Sequence, residues 1–240
     1  MSTLLQQAAA SIARDAAGQD IAHVLKLLQT AFPGKVVFST SFSNEDQVIT
    51  HLIRSHARQI GLFTLDTGRL FSQTYQVWAE TNAHFGIRIR PFTPDNAQLQ
   101  PFLETHGPNA FYAAVPLRKE CCHIRKVAPL QRALAGNTVW VTGLRAAHSP
   151  ERQHLQQIEW DDIHQVIKYH PLLYWTTEAV TEYIRSHYLP YNTLHDKGFA
   201  SIGCEPCTRA IREGEDIRAG RWWWEDDSKK ECGLHVPSQQ

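Results

Sequence analysis

The sequence predicts an α/β fold, with a mostly parallel sheet flanked by helices and a tail at its C-terminal end. Three observations predict it. Short β-branched and aromatic runs alternate with helical patterns through the middle of the chain, the mark of βαβ units. The 240 residues suffice for one sizeable core. From about Glu213 the chain changes character and becomes rich in charge, glycine and tryptophan.

The strand candidates are Lys35–Ser39, Gly61–Leu65, Ile87–Ile89 and Thr138–Thr142. Between the first two, Val48, Ile49, Leu52 and Ile53 recur on one face of a helix over Asp46–Ala57. Further helices are predicted over Leu70–Phe85 and from about Arg118 to Leu134, the latter beginning at the adjacent Cys121 and Cys122. Thr176 reads as an N-cap, with Glu178 in the first turn and Val180, Tyr183, Ile184, His187 and Tyr188 as an apolar stripe, stopped by Pro190. Leu4–Ile12 reads as an amphipathic helix and not as a secretory leader, because Gln6 and Gln7 interrupt its apolar run. The expected organisation is an N-terminal helical segment over 1–34, an α/β domain over 35–212 and a tail over 213–240. In that tail Trp222, Trp223 and Trp224 are adjacent, so they cannot share one face and must pack against more than one surface.

Lys+Arg and Asp+Glu each number 24, so no global field gathers nucleic acid, and any anion site must be local. No apolar run is long enough for a membrane span. The expected compartment is the cytoplasm, where thiols stay reduced and cysteine patterns point to metal or catalysis before disulfides.

Four of the five cysteines form two close pairs, Cys121-Cys122 and Cys204-Glu-Pro-Cys207. Two pairs that converge in a reducing compartment suggest a four-thiolate metal site. Structural zinc and plain buried thiols remain alternatives, although adjacent cysteines suit the separate iron corners of a 4Fe-4S cluster better than one zinc ion. Cys232 stands apart, near Lys229, Lys230 and His235, where cations favour a thiolate.

Cys121-Cys-His-Ile-Arg-Lys126, Gly203-Cys-Glu-Pro-Cys-Thr-Arg209, Arg218-Ala-Gly-Arg-Trp-Trp-Trp224 and Lys230-Glu-Cys-Gly-Leu-His235 closely resemble segments of the bacterial adenylyl-sulfate reductases, in the sulfonucleotide reductase family. Ser41-Phe-Ser-Asn-Glu-Asp46 and Leu65-Asp-Thr-Gly-Arg-Leu70 look like that family's nucleotide-binding segments, with Ser43-Asn44 where the family often has Gly-Ala. The resemblance spans about residues 35 to 236. It implies a Rossmann-like, adenine-nucleotide hydrolase-like fold of the ATP pyrophosphatase type.

The resemblance also implies chemistry. Both cysteine pairs imply a 4Fe-4S cluster on Cys121, Cys122, Cys204 and Cys207, and adenosine 5′-phosphosulfate as substrate in preference to its 3′-phosphorylated derivative. Cys232 is the implied nucleophile, with thioredoxin or a similar dithiol protein as reductant, in assimilatory sulfate reduction and cysteine biosynthesis. An anionic thiolate approaching an anionic sulfuryl group at ~4 Å is repelled by roughly 4 kcal/mol at an effective dielectric of ~20, so the site needs cations. Arg218 and Arg221 are the implied phosphosulfate ligands, followed by Arg145, with Lys126 between cluster and substrate and Arg209 a further candidate. Ser41, Phe42, Ser43, Glu45 and Asp46 form the expected nucleotide crevice at the end of the first strand, and Leu65, Asp66 and Thr67 are expected against the adenosine. His235 is an acid–base group or a cation beside the thiol; the other twelve of the 13 histidines carry no expected role. A 3′-phosphoadenylyl-sulfate reductase, a tRNA-thiolating ATP pyrophosphatase relative and a zinc-stapled binding module are the rival readings. Oligomeric state is open, and a homo-oligomer is compatible with the sequence.

Overall fold

The computed structural model describes residues 2–148, 154–225 and 234. Among them six strands form one sheet: β1 Val36–Ser39, β2 Gly61–Leu65, β3 Arg90–Phe92, β4 Val139–Val141, β5 Ile158–Asp161 and β6 Val166–Tyr169. Their order is β3-β2-β1-β4-β6-β5, parallel throughout except for the antiparallel edge pair β5–β6. From β1 the chain winds outward through β2 and β3, then returns to place β4 on the other side of β1. The carboxyl ends of β1 and β4 therefore flank a topological switch point, where open α/β sheets bind ligands.

Among the described residues eight α-helices accompany the sheet: α1 Ser2–Ala16, α2 Ile21–Ala31, α3 Asn44–His56, α4 Ser72–Phe85, α5 Asn96–His106, α6 Val115–Cys122, α7 Ala128–Leu134 and α8 Thr177–Ser186. One sheet face, carrying Phe38, Val139, Val141 and Ile167, buries the apolar sides of α1, α2, α3 and α8. Trp140, which alternates with its neighbours in β4, faces the other way and packs with Phe63, Leu130 and Leu134 beneath α7. Residues 1–34 thus supply two helices to the principal core, with Ala9, Ile12, Val24, Leu25 and Leu28 buried in it.

The expected cap of α8 forms, and α3 carries a cap that was not among the expected features. Ser43 caps α3, its hydroxyl accepting from Asp46 N at 3.3 Å, and Thr176 caps α8 by accepting from Ala179 N at 3.1 Å. The Ser43 cap gives a physical role to the residue that departs from the family's glycine-bearing loop.

Three expectations need correction. The third strand is Arg90–Phe92, three residues after Ile87–Ile89, because Asn82 captures the amides of Ile87 and Ile89 as the chain leaves α4. Pro91 is tolerated there because β3 is an edge strand. The predicted helix Arg118–Leu134 begins at Val115 and is interrupted by a π-helical segment, His123–Val127. Tyr188 does not belong to the apolar stripe of α8: the helix stops at Ser186 and Tyr188 is 87 % exposed at φ 51°. The hairpin β5–β6 and helices α2 and α5 were not among the expected elements.

Candidate active site

The first βα turn is built around one carboxylate. Asp46 Oδ2 accepts from Ser41 N at 2.6 Å and Ser41 Oγ at 2.7 Å, folding the loop back on the first turn of α3. Between them Phe42 takes φ 62°, a left-handed conformation held by burial and by stacking on Trp78 at 5.6 Å. Asp46 is buried at 4 % exposure. Burial pushes its carboxyl up to about 6 against the Ser41 hydrogen bonds, with Glu45 adding to the rise. Gly143, after β4, lies directly over this carboxylate; a Cβ there would stand 2.2 Å from Asp46 Oδ1.

A cavity of ≈ 270 Å³ opens at the switch point, near the ~300 Å³ lower end for small-ligand sites. Ser41, Phe42, Ser43, Glu45, Asp46, Leu65, Thr67, Lys126, Arg218 and Arg221 all line it. The wall is bipolar, with Glu45 and Asp46 at the α3 N-terminus and Lys126, Arg218 and Arg221 among its cations. Arg221 is 7 % exposed, with Nη1 3.3 Å from Ser201 Oγ, and its buried Nε has no partner among the described residues. Gly203 makes room for it: a Cβ at that position would meet Arg221 Nη2 at 2.3 Å.

The structure places three expected ligands elsewhere. Arg145 is 1 % exposed and absent from the cavity wall; Nε donates to Glu45 Oε1 at 2.8 Å, Nη1 to Trp175 O and Nη2 to Thr177 Oγ1. It therefore orients Glu45 and ties α3 to α8. Arg209 makes a two-pronged bridge to Glu215, at 2.8 and 3.0 Å. Asp66 closes its own turn, accepting from Gly68 N at 2.9 Å and Tyr75 Oη at 2.7 Å. Cys232 and His235 lie outside the described residues. Leu234 is described and lines the cavity.

The wall also holds residues that the sequence did not single out. Thr142, Gly143 and Leu144 follow β4, and the carboxyl-end rule applied to that strand would have found them. Thr74, Trp140 and His195 carry no local signal.

A second, small cavity of ≈ 10 Å³ adjoins the first, and Cys121, Cys122, Cys204 and Cys207 all line it. The π-helical segment begins directly after Cys122 and carries Arg125 and Lys126 into the same wall. Cys204 is anchored opposite: it bridges Leu70, Glu205 N donates to Arg69 O at 2.8 Å, and its Sγ is 3.3 Å from Thr67 Oγ1. Burial alone would raise the Cys204 thiol, but Lys126, Thr67, Arg221 and Arg125 together hold it below its ordinary value. Cys207 is pushed up to about 12 by burial and by Cys204. No group of three or more His, Cys, Asp or Glu side chains grips one metal ion among the described residues. Lys126, Cys204 and Trp222 line both cavities, so the two share a wall.

The three adjacent tryptophans diverge. Trp222 is 1 % exposed in the cysteine layer beside Phe111 and Ile124, Trp223 is 40 % exposed, and Trp224 packs edge-on to Tyr112 at 4.5 Å.

The mostly parallel sheet flanked by helices, with a bipolar crevice at its switch point, defines a Rossmann-like protein with the fold of the ATP pyrophosphatase type. Residues 35–210 match the phosphoadenosine phosphosulfate reductase domain, and the chain belongs to that family. It is 48 % identical to the adenosine 5′-phosphosulfate reductase of Allochromatium vinosum, over 83 % of this chain and 78 % of that protein. It is 45 % identical to the reductase of the same name from Agrobacterium fabrum, over 95 % and 87 %. Among solved structures it resembles the phosphoadenylyl-sulfate reductase of Candida auris in a phosphate complex, with TM-score 0.72 and 26 % identity over 86 % of this chain and 97 % of that one. The FMN adenylyltransferase of Candida glabrata shares the fold, at TM-score 0.54 and 15 % identity over 96 % and 85 %. The named relatives make this chain an oxidoreductase acting on a sulfur group.

Proposed function

We propose that the protein reduces adenosine 5′-phosphosulfate to sulfite and AMP in the cytoplasm, with a thioredoxin-like dithiol protein as reductant, in sulfate assimilation toward cysteine. The observation that carries this reading is the shared wall: the four-cysteine pocket adjoins the cationic side of the nucleotide cavity through Lys126 and Cys204. The names of the relatives support the substrate.

The residues fit a 4Fe-4S cluster. Four buried thiols from two segments face one pocket, Arg69, Arg118, Arg125 and Lys126 surround it, and the buried Arg125 Nε has no partner among the described residues. Cys121, Cys122, Cys204 and Cys207 would hold it. When bound, it would supply a fixed local charge that organises the cationic wall.

The protein's own groups account for the chemistry. Arg218, Arg221 and Lys126 offset the charge of the phosphosulfate, and the Ser41–Asp46 turn receives the nucleotide. The Cys232 thiolate attacks the sulfuryl sulfur; the bond from sulfur to the bridging oxygen breaks and AMP leaves with the electron pair. A thiolate of the dithiol protein then attacks the Cys232 sulfur, expelling sulfite. Its second thiol resolves the mixed disulfide, so the dithiol is oxidised by two electrons and Cys232 is regenerated.

The test is the mass of the protein after mixing with adenosine 5′-phosphosulfate without reductant. A sulfonate adduct on Cys232, absent from Cys232→Ser, is expected; an adduct that persists in Cys232→Ser would refute the assignment. The likeness to a phosphoadenylyl-sulfate reductase keeps one rival in view. Faster turnover of the 3′-phosphorylated nucleotide would favour it.

A further inference from the structure

His195 sits in the wall of the nucleotide cavity and takes no part in the steps above. Its ring is fixed from one side. Asn192 starts the turn that carries it, with Asn192 O accepting from His195 N at 3.0 Å and Asn192 Nδ2 donating to Thr74 Oγ1 at 3.1 Å. His195 Nδ1 is 2.8 Å from the carbonyl of Phe199. A carbonyl only accepts, so Nδ1 carries the proton and donates. In the neutral ring Nε2 is then an acceptor, and the tautomer is set by the backbone.

That acceptor is orphaned: Nε2 is buried and has no hydrogen-bond partner among the described residues. Leaving a buried polar atom unsatisfied is costly, and each such atom calls for an explanation. Burial holds the imidazole below its ordinary pKa, opposed by the Phe199 bond and by the Glu45 and Asp196 carboxylates, which favours the neutral ring.

We infer that His195 determines nucleotide specificity, its Nε2 accepting a hydrogen bond from a neutral O–H or N–H donor on the bound nucleoside, either a ribose hydroxyl or the adenine amine. The inference rests on the reading of the cavity as an adenine-nucleotide site. It gives the cavity an uncharged acceptor in addition to the cations that take the anionic end.

The experiment measures binding of AMP, 2′-deoxy-AMP, 3′-deoxy-AMP and purine riboside 5′-monophosphate to the full-length protein by calorimetry. Two variants separate the ring nitrogens. In His195→Asn the amide nitrogen can keep the Phe199 bond while the Nε2 acceptor is lost; in His195→Gln the amide oxygen reaches the Nε2 position. His195→Asn should weaken AMP binding about tenfold, and His195→Gln should recover much of it. One of the three analogues, the one lacking the partner of Nε2, should bind the wild type and His195→Asn equally. Unchanged AMP affinity in His195→Asn, or an equal loss for all four nucleotides, would overturn the inference. A wild-type protein that binds none of the four would overturn the nucleotide-site reading itself. Thermal melting of both variants controls for folding.

Discussion

Arg118 and Glu225, 107 residues apart, form a two-pronged buried ion pair, Nη2 to Oε2 at 2.7 Å and Nε to Oε1 at 3.0 Å. The side chains are 0 % and 3 % exposed, and the Arg118 guanidinium lies 4.8 Å from the centre of the Trp222 ring. The pair fastens the C-terminal segment to α6, the helix that bears Cys121 and Cys122. Removing one partner strands the other charge in the interior, which costs about 3–5 kcal/mol. Arg118→Met should therefore lose about that much stability in urea denaturation. The double variant Arg118→Met/Glu225→Met should regain most of it; a double variant as unstable as the single one would show that packing, not charge, holds the segment.

Asp46 makes stability depend on pH with a definite sign. Its carboxyl titrates at about 6 when folded, against an ordinary value of 3.8. Below the ordinary value both states are protonated and its contribution is fully present. That contribution is lost as pH rises through about 6, because the buried carboxylate is then charged. The shift corresponds to about 3 kcal/mol. The stability difference between wild type and Asp46→Asn should move by about that amount in favour of Asn between pH ~3.5 and ~7.5. A difference that stays constant across this range would show that Asp46 does not titrate there.

Gly203 tests the cationic wall. The Cβ of Gly203→Ala would meet Arg221 Nη2 at 2.3 Å and Cζ at 2.6 Å, so the guanidinium must move. If Arg221 meets the anionic end of the nucleotide as proposed, AMP affinity should fall about tenfold while adenosine affinity changes little. Equal losses for AMP and adenosine would indicate general damage to the loop that carries Cys204.

Cys204 lines both cavities and so distinguishes a metal-bearing wall from a row of ordinary thiols. Cys204→Ser purified without oxygen should lose its iron, its brown colour and its activity together. Iron retained at the wild-type level would remove Cys204 from the ligand set.

The sequence by itself determined the α/β class, strands β1, β2 and β4, helix α3 and the cap of α8. Those features depend on side-chain periodicity and on hydrogen bonds that reach three residues, such as Thr176 to Ala179. It also pointed to segments that line the two cavities, because motifs such as Cys121-Cys122 and Arg218 to Trp224 are contiguous. Only the tertiary structure decided what each charged group does. Arg145 looked like an anion ligand until Glu45, 100 residues away, claimed it, and His195 had no signal until its loop met the cavity wall. The hairpin β5–β6 was likewise decided at long range, by pairing of β6 with β4, whereas β3 was displaced by a nearer contact, Asn82 capping the exit from α4. The physical reason is that backbone conformation answers chiefly to near neighbours, whereas the partner of a buried charge is set by where distant segments meet.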